Sequence, residues 1–267
     1  MSKTRPETIK RPNNDIMGKI IAIANHKGGV GKTTSVASIG AVLAKKGKRT
    51  LLIDLDAQAN LTGSLSGEQY DRTIYDALRE RGNLPVVQIS ENLFLTPSCL
   101  DLAGIELELS SSMSREFALK DAVEPVMDSY DFILLDCPPS LGLLTVNAFV
   151  AADDIIIPLT AEALPFQGLT MIGKIIAMVQ KRLNTSLRLS GILFTRWEGR
   201  KLNKMVEEAV RGSYGDIVFR SRVRTNISIA EAPLSKQDII AYNEKSNGAQ
   251  DYIEVTDELL AREAEKR

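Results

Sequence analysis

The chain has 267 residues, 44% hydrophobic and 25% charged, which is enough to bury a sizeable core and matches an ordinary globular profile. A formal net charge of −1 excludes a protein coated in positive charge, so any nucleic-acid contact must come from a local basic patch. No apolar run reaches the roughly 18–20 residues that span a bilayer. The charged start Met1–Pro6 is not followed by the apolar stretch of a secretory signal, and Cys99 and Cys137 fit no metal spacing and read as reduced thiols in a cytoplasmic protein.

Residues 1–18 carry Lys3, Arg5, Lys10, Arg11 and few apolar groups. They read as a flexible tail, either without a function of its own or with an auxiliary contact. Residues 19–267 read as a single domain. Ile20–Ala24 is an apolar strand running into a glycine-rich turn, and a helix follows from about Thr33 to Lys46, with Gly47 placed as its C′ residue. Further strands are expected at 50–54, 132–136, 155–157 and 189–194. Helices are expected at 73–80, 114–127, 141–151, 166–183 and 203–211. Strands that are almost continuously Ile and Leu, alternating with helices, predict an α/β fold with a doubly wound, mostly parallel sheet flanked by helices on both faces.

A strand, a glycine-rich loop and then a helix is an arrangement that cradles phosphates. Glycines let backbone N–H groups converge on the anion, and the helix N-terminus adds partial positive charge. In Lys27-Gly28-Gly29-Val30-Gly31-Lys32-Thr33-Thr34, Lys32 is placed to reach the β- and γ-phosphates of ATP, and the Thr33 hydroxyl to ligate Mg²⁺. His26 stands where an ordinary P-loop has its first glycine, and an extra lysine, Lys27, precedes the glycines. Strand 50–54 ends in Asp54 and continues to Asp56, which alternation places on the same side, towards the crevice beside the loop. Phe132–Asp136 delivers one carboxylate at its end, in the manner of a Walker B strand holding Mg²⁺ through water. Asp131, ahead of that strand, reads as a surface residue.

This string resembles the deviant Walker A motif of the ParA/MinD ATPases, and the resemblance runs from Lys19 nearly to the C-terminus. It implies that Lys27 reaches across an ATP-dependent homodimer to the partner's phosphates. It also implies that Asp56 orients the attacking water, that Asp54 supports the Mg²⁺ shell, and that Pro138–Gly142 is switch II. No arginine finger is evident in cis, so slow basal hydrolysis is expected. Thr160–Leu169 matches a family segment assigned either to the dimer face or to packing. His26 reads as loop filler.

Within the family, three features separate DNA-bound ParA/Soj proteins from membrane-bound MinD. The C-terminal stretch from Asp251 is amphipathic but acidic, so it reads as a helix packed on the body rather than a membrane anchor. Arg196, Arg200, Lys201, Lys204, Arg211, Arg220, Arg222 and Arg224 form a basic run interspersed with acids. That run reads either as a non-specific DNA patch, with Arg196, Arg200, Lys201, Arg220, Arg222 and Arg224 as candidates, or as a solvated surface. Asn226–Pro233 resembles the Soj-type string ending Ser-Glu-Ala-Pro, with Thr225 and Ser228 where arginines usually stand. The resemblance therefore implies a ParA/Soj-type partition ATPase, cytoplasmic and nucleoid-associated. Its implied partners are itself, non-specific double-stranded DNA and a ParB-like centromere-binding protein, with no membrane. The alternatives are a MinD-like membrane-associated ATPase or a metabolic ATPase on the same scaffold.

Overall fold

A computed structural model describes residues 18–162 and 165–266. Residues 1–17 of the expected tail, and Ala163 and Leu164 of the segment expected at a dimer face, lie outside the described residues. In chain order the elements are β1 Lys19–Ile23, α1 Lys32–Lys45, β2 Thr50–Asp54, α2 Asn60–Leu65, α3 Ile74–Glu80, β3 Val87–Ser90 and β4 Leu93–Thr96. They continue with α4 Ile105–Glu108, α5 Ala118–Val123, β5 Phe132–Asp136, α6 Leu143–Ala151, β6 Asp154–Thr160 and α7 Pro165–Arg182. The last five are β7 Arg188–Thr195, α8 Lys201–Tyr214, α9 Ile227–Glu231, α10 Ile239–Asn243 and α11 Asn247–Glu265.

The strands form one sheet in the order β3-β4-β2-β5-β1-β6-β7, parallel except for β3. Alternate side chains of each central strand enter opposite cores. Ile20, Ala22, Leu51, Ile53, Ile133 and Leu135 pack towards the α3–α8 side. Ile21, Ile23, Leu52, Phe132 and Leu134 pack towards α1 and α11. Burial on both faces explains why these strands are apolar throughout, at about 1.5–3 kcal/mol per large aliphatic side chain removed from water.

Helix α1 ends as expected. Gly47 adopts φ +77 and donates to the Ala44 carbonyl at 2.9 Å, while Lys48 N donates to Leu43 O at 3.0 Å. At the amino-terminal end of the sheet, the fully buried Asp154 is held by Lys19, Arg188 and Lys266 at 2.8–3.1 Å.

Two expectations are corrected, and one element is new. The helix expected over 114–127 is broken into a 3₁₀ turn, the short α5 and a second 3₁₀ turn. Asp131 is buried rather than on the surface, because its carboxylate accepts the Arg49 N–H at 2.7 Å. The edge pair β3–β4 was not anticipated.

Candidate nucleotide site

At the carboxyl ends of β1, β2 and β5, where connections from β1 and β6 depart to opposite sides, a cavity of about 670 Å³ opens. Gly28, Gly29, Gly31, Lys32, Thr33, Thr34, Asp56, Pro139 and Thr195 are among the residues lining it. Gly29 and Gly31 have φ of +73 and +83, which L-residues with side chains adopt only under strain. Gly31 is the N-cap of α1 and supplies no side-chain cap, so the first-turn N–H groups face the cavity unmatched by a cap. The loop is braced from behind: Thr195 Oγ1 donates to Val30 O at 2.8 Å, and Asn25 Oδ1 accepts the Lys27 N–H at 3.1 Å.

The two lysines of the loop differ sharply. Lys32 is buried, its ammonium donating to Lys27 O at 3.3 Å, and desolvation lowers its pKa against the pull of Asp136. Lys27 is half exposed and its ammonium meets the half-exposed Glu162 carboxylate at 2.6 Å. That contact, rather than burial, holds the Glu162 pKa below its ordinary value.

Asp136 and Asp54 are paired across β5 and β2, both fully buried. Burial and the Asp54 charge push the Asp136 pKa well up, opposed by the Thr33 hydroxyl and Lys32. Neither oxygen of Asp136 has a well-formed hydrogen bond. A buried carboxylate left unsatisfied beside a threonine hydroxyl suits a hard divalent cation that takes its other oxygens from phosphate and water. Among the described residues, no group of three or more His, Cys, Asp or Glu forms a self-sufficient metal cage.

Asp54, expected to support the Mg²⁺ shell, is held by hydrogen bonds from its own loop and the start of α2. Its Oδ1 accepts Asp56 N at 3.1 Å, and its Oδ2 accepts Thr62 N at 2.9 Å and Thr62 Oγ1 at 2.8 Å. These three bonds hold residues 56–62 in place, and burial raises its pKa to about 6. Asp56 lines the cavity itself, with Oδ1 accepting Gln58 N at 3.0 Å. Cys137 is buried beside the site, and burial pushes its thiol pKa far up, which suppresses thiolate chemistry. His26 packs against Gly168 of α7, with Nδ1 buried and unpartnered.

The basic candidates do not share one surface role. Arg196, in a left-handed conformation at φ +51, and Arg224 line the cavity. Arg224 is also tied to the buried Asp251 at 2.6 Å, and Arg222 to the buried Glu207 at 2.7 Å while lying over the Trp197 ring. Arg200 meets Glu198 at 2.8 Å, and Lys201 and Arg220 are exposed. Sequence reasoning missed part of the cavity wall, formed by Thr225, Asn226, Ile229, Pro233 and Gln237, and the Thr195 brace behind the glycine loop. Asn226, Ile229 and Pro233 fall in the Asn226–Pro233 string; Thr195 and Gln237 carry no local signal.

The switch-point cavity, the uncapped glycine loop and the paired carboxylates define a P-loop ATPase of the deviant, two-lysine type. The AAA domain family model matches residues 18–189. Sporulation initiation inhibitor protein Soj of Bacillus subtilis is 42% identical over 92% of this chain and 99% of that protein. The chromosome-partitioning ATPase Soj of Treponema pallidum is 41% identical over 94% of this chain and 100% of that one. Among solved structures, cobyrinic acid a,c-diamide synthase from Mycobacterium smegmatis with bound ADP and magnesium superposes with a TM-score of 0.83. It is 35% identical over 94% of this chain and 97% of that chain. The chain belongs to the ParA/Soj family of partition ATPases.

Proposed function

We propose that this chain is an ATP-switched partition ATPase whose ATP-bound form is a sandwich dimer that holds non-specific DNA, in the cytoplasm on the nucleoid. A ParB-like centromere-binding partner triggers hydrolysis and release, so that DNA cargo is segregated or positioned. The observation that carries this reading is the division of labour between the two lysines. Lys32 is committed to its own cavity, whereas Lys27 stands at the rim with an exposed ammonium held only by a surface carboxylate. An exposed lysine there suits phosphates presented by a second copy, whose charge is present only in the ATP state.

In this reading the first-turn N–H groups of α1 and Lys32 bind and orient the phosphates, and Thr33 and Asp136 hold Mg²⁺. Bound there, Mg²⁺ would neutralise phosphate charge and fix the γ-phosphate for in-line attack by water. Asp56, lining the same cavity, positions the attacking water. Of the two arginines lining the cavity, Arg224 is already paired with Asp251. Basal turnover is accordingly slow, below about 1 s⁻¹, and rises when a partner completes the charge stabilisation.

DNA contact falls to Arg200, Lys201, Lys204 and Arg220, which are exposed. Arg222 and Arg224 cannot leave their buried carboxylates without stranding charge. Helix α11 presents Glu254, Asp257 and Glu265 outward while Tyr252, Val255 and Leu259 are buried against the body, so its exposed face does not suit anionic lipid. Among the described residues, no helix is long and apolar enough to cross a membrane.

The test is fluorescence anisotropy of a random-sequence duplex at about 0.1 M salt, a regime in which phosphate contacts are strong. It is run with ATP-Mg²⁺, with ADP and without nucleotide. Binding only with ATP, lost as salt rises, supports the reading. Equal or absent binding in all three states removes the DNA role and favours a metabolic ATPase on this scaffold.

A further inference from the structure

The segment between β4 and β5 reaches the loops around the nucleotide site at two points: Ser98 Oγ donates to Asp56 O at 2.8 Å, and Glu106 of α4 meets the start of α6. Helix α6 begins directly after Cys137–Gly142, the loop that leaves the Asp136 strand and places Pro139 in the cavity wall. Its N-cap is Gly142, which has no side chain with which to cap the helix. Glu106 supplies the missing cap from 38 residues away in sequence: its Oε1 accepts the Leu144 N–H at 3.1 Å. The carboxylate lies at the positive end of the α6 dipole and against Gly142, where any Cβ would overlap it.

The start of α6 is pinned at other points too. Thr145 Oγ1 donates to Ser140 O at 2.6 Å. Asn147 accepts Leu119 N at 3.1 Å and donates to Arg115 O at 3.0 Å. Of these fasteners, Glu106 is the charged one, and it lies against Gly142, the last residue of the loop that carries Pro139 into the cavity wall.

We infer that Glu106 is a positioning residue for ATP hydrolysis. Its carboxylate caps α6 and thereby fixes the 137–142 loop against the phosphates, without touching nucleotide. This inference rests on the proposed ATPase reading. A cap that only stabilised the fold would affect nucleotide binding and hydrolysis alike. A cap that places the loop affects the transition state while leaving the glycine loop, and hence ground-state binding, intact.

The experiment compares wild type, Glu106→Ala, Glu106→Gln and Gly142→Ala. It measures ADP affinity with a fluorescent analogue, and kcat and KM for ATP under single-turnover and steady-state conditions. Glu106→Ala is expected to keep ADP affinity within about twofold and to lose about tenfold or more in kcat, the scale of a small misplacement of reacting groups. Glu106→Gln retains an acceptor oxygen and is expected to restore kcat to within about threefold of wild type. Gly142→Ala, which displaces the carboxylate without removing it, is expected to lose kcat as Glu106→Ala does.

Unchanged kcat in Glu106→Ala, or a parallel loss of ADP affinity and kcat, overturns the inference. Should Glu106→Ala fail to fold, Glu106→Gln and Gly142→Ala decide the matter: equal activity in both overturns it. A wild type that does not hydrolyse ATP refutes the functional reading instead.

Discussion

Replacing Asp136 with Asn tests the electrostatics of the site directly. Asp136 and Asp54 are both fully buried, and the Asp136 oxygens have no well-formed hydrogen bond to repay their desolvation. Asp54, though it accepts three hydrogen bonds, is still raised from 3.8 to about 6. At about 1.4 kcal/mol per pH unit, ionising Asp54 alone costs the nucleotide-free fold about 3 kcal/mol at neutral pH. Asp136 is pushed the same way, with less hydrogen bonding to offset it.

The sign follows from linkage. A carboxylate whose folded pKa is raised favours the fold fully below its unfolded value near 4, and that contribution is lost as pH rises through about 6. Asp136→Asn removes one charge of the pair, so without nucleotide or Mg²⁺ it is expected to be more stable than wild type at pH 7.5. A gain of about 2 kcal/mol corresponds to a Tm increase of about 4–8 °C for a chain of this size. The difference should shrink as pH falls and vanish only below about pH 4, where the unfolded carboxyl is protonated as well.

The assay is thermal unfolding from pH 5 to 8 in chelator, repeated with ATP-Mg²⁺. With ligand the order should reverse, because only the wild type gains binding free energy through the metal. A variant less stable than wild type at pH 7.5, or a difference independent of pH, would refute the argument.

Lys27→Ala is expected to leave Tm within about 2 °C, because a half-exposed ion pair contributes at most about 1 kcal/mol. It should keep ADP binding but abolish the ATP-dependent dimer in light scattering. Asp154→Asn, remote from the site, should lower stability by about 2–3 kcal/mol in urea unfolding, because Lys19, Arg188 and Lys266 lose their shared anion. Its ADP affinity should be unchanged.

The loop Lys27–Thr34, the apolar strands and the carboxylates at their ends were legible because each is local. Backbone N–H groups converge on an anion only where glycine permits the left-handed turns of Gly29 and Gly31. A strand buried on both faces is apolar through its middle, so β1, β2, β5 and β6 announced themselves, and with them the parallel sheet and the cavity at its carboxyl edge. The strands β3 at the edge and β4 beside it are only four residues each, too short for a decisive pattern, and their placement depends on the neighbours they pair with. What only the tertiary structure decided is which charges meet. Asp54 turns to Thr62, Arg222 and Arg224 pair with Glu207 and Asp251, and Glu106 crosses 38 positions to Leu144. Charged groups in sequence carry no address for their partners. Burial and distance choose them, because a carboxylate removed from water persists only where the fold brings a donor to it.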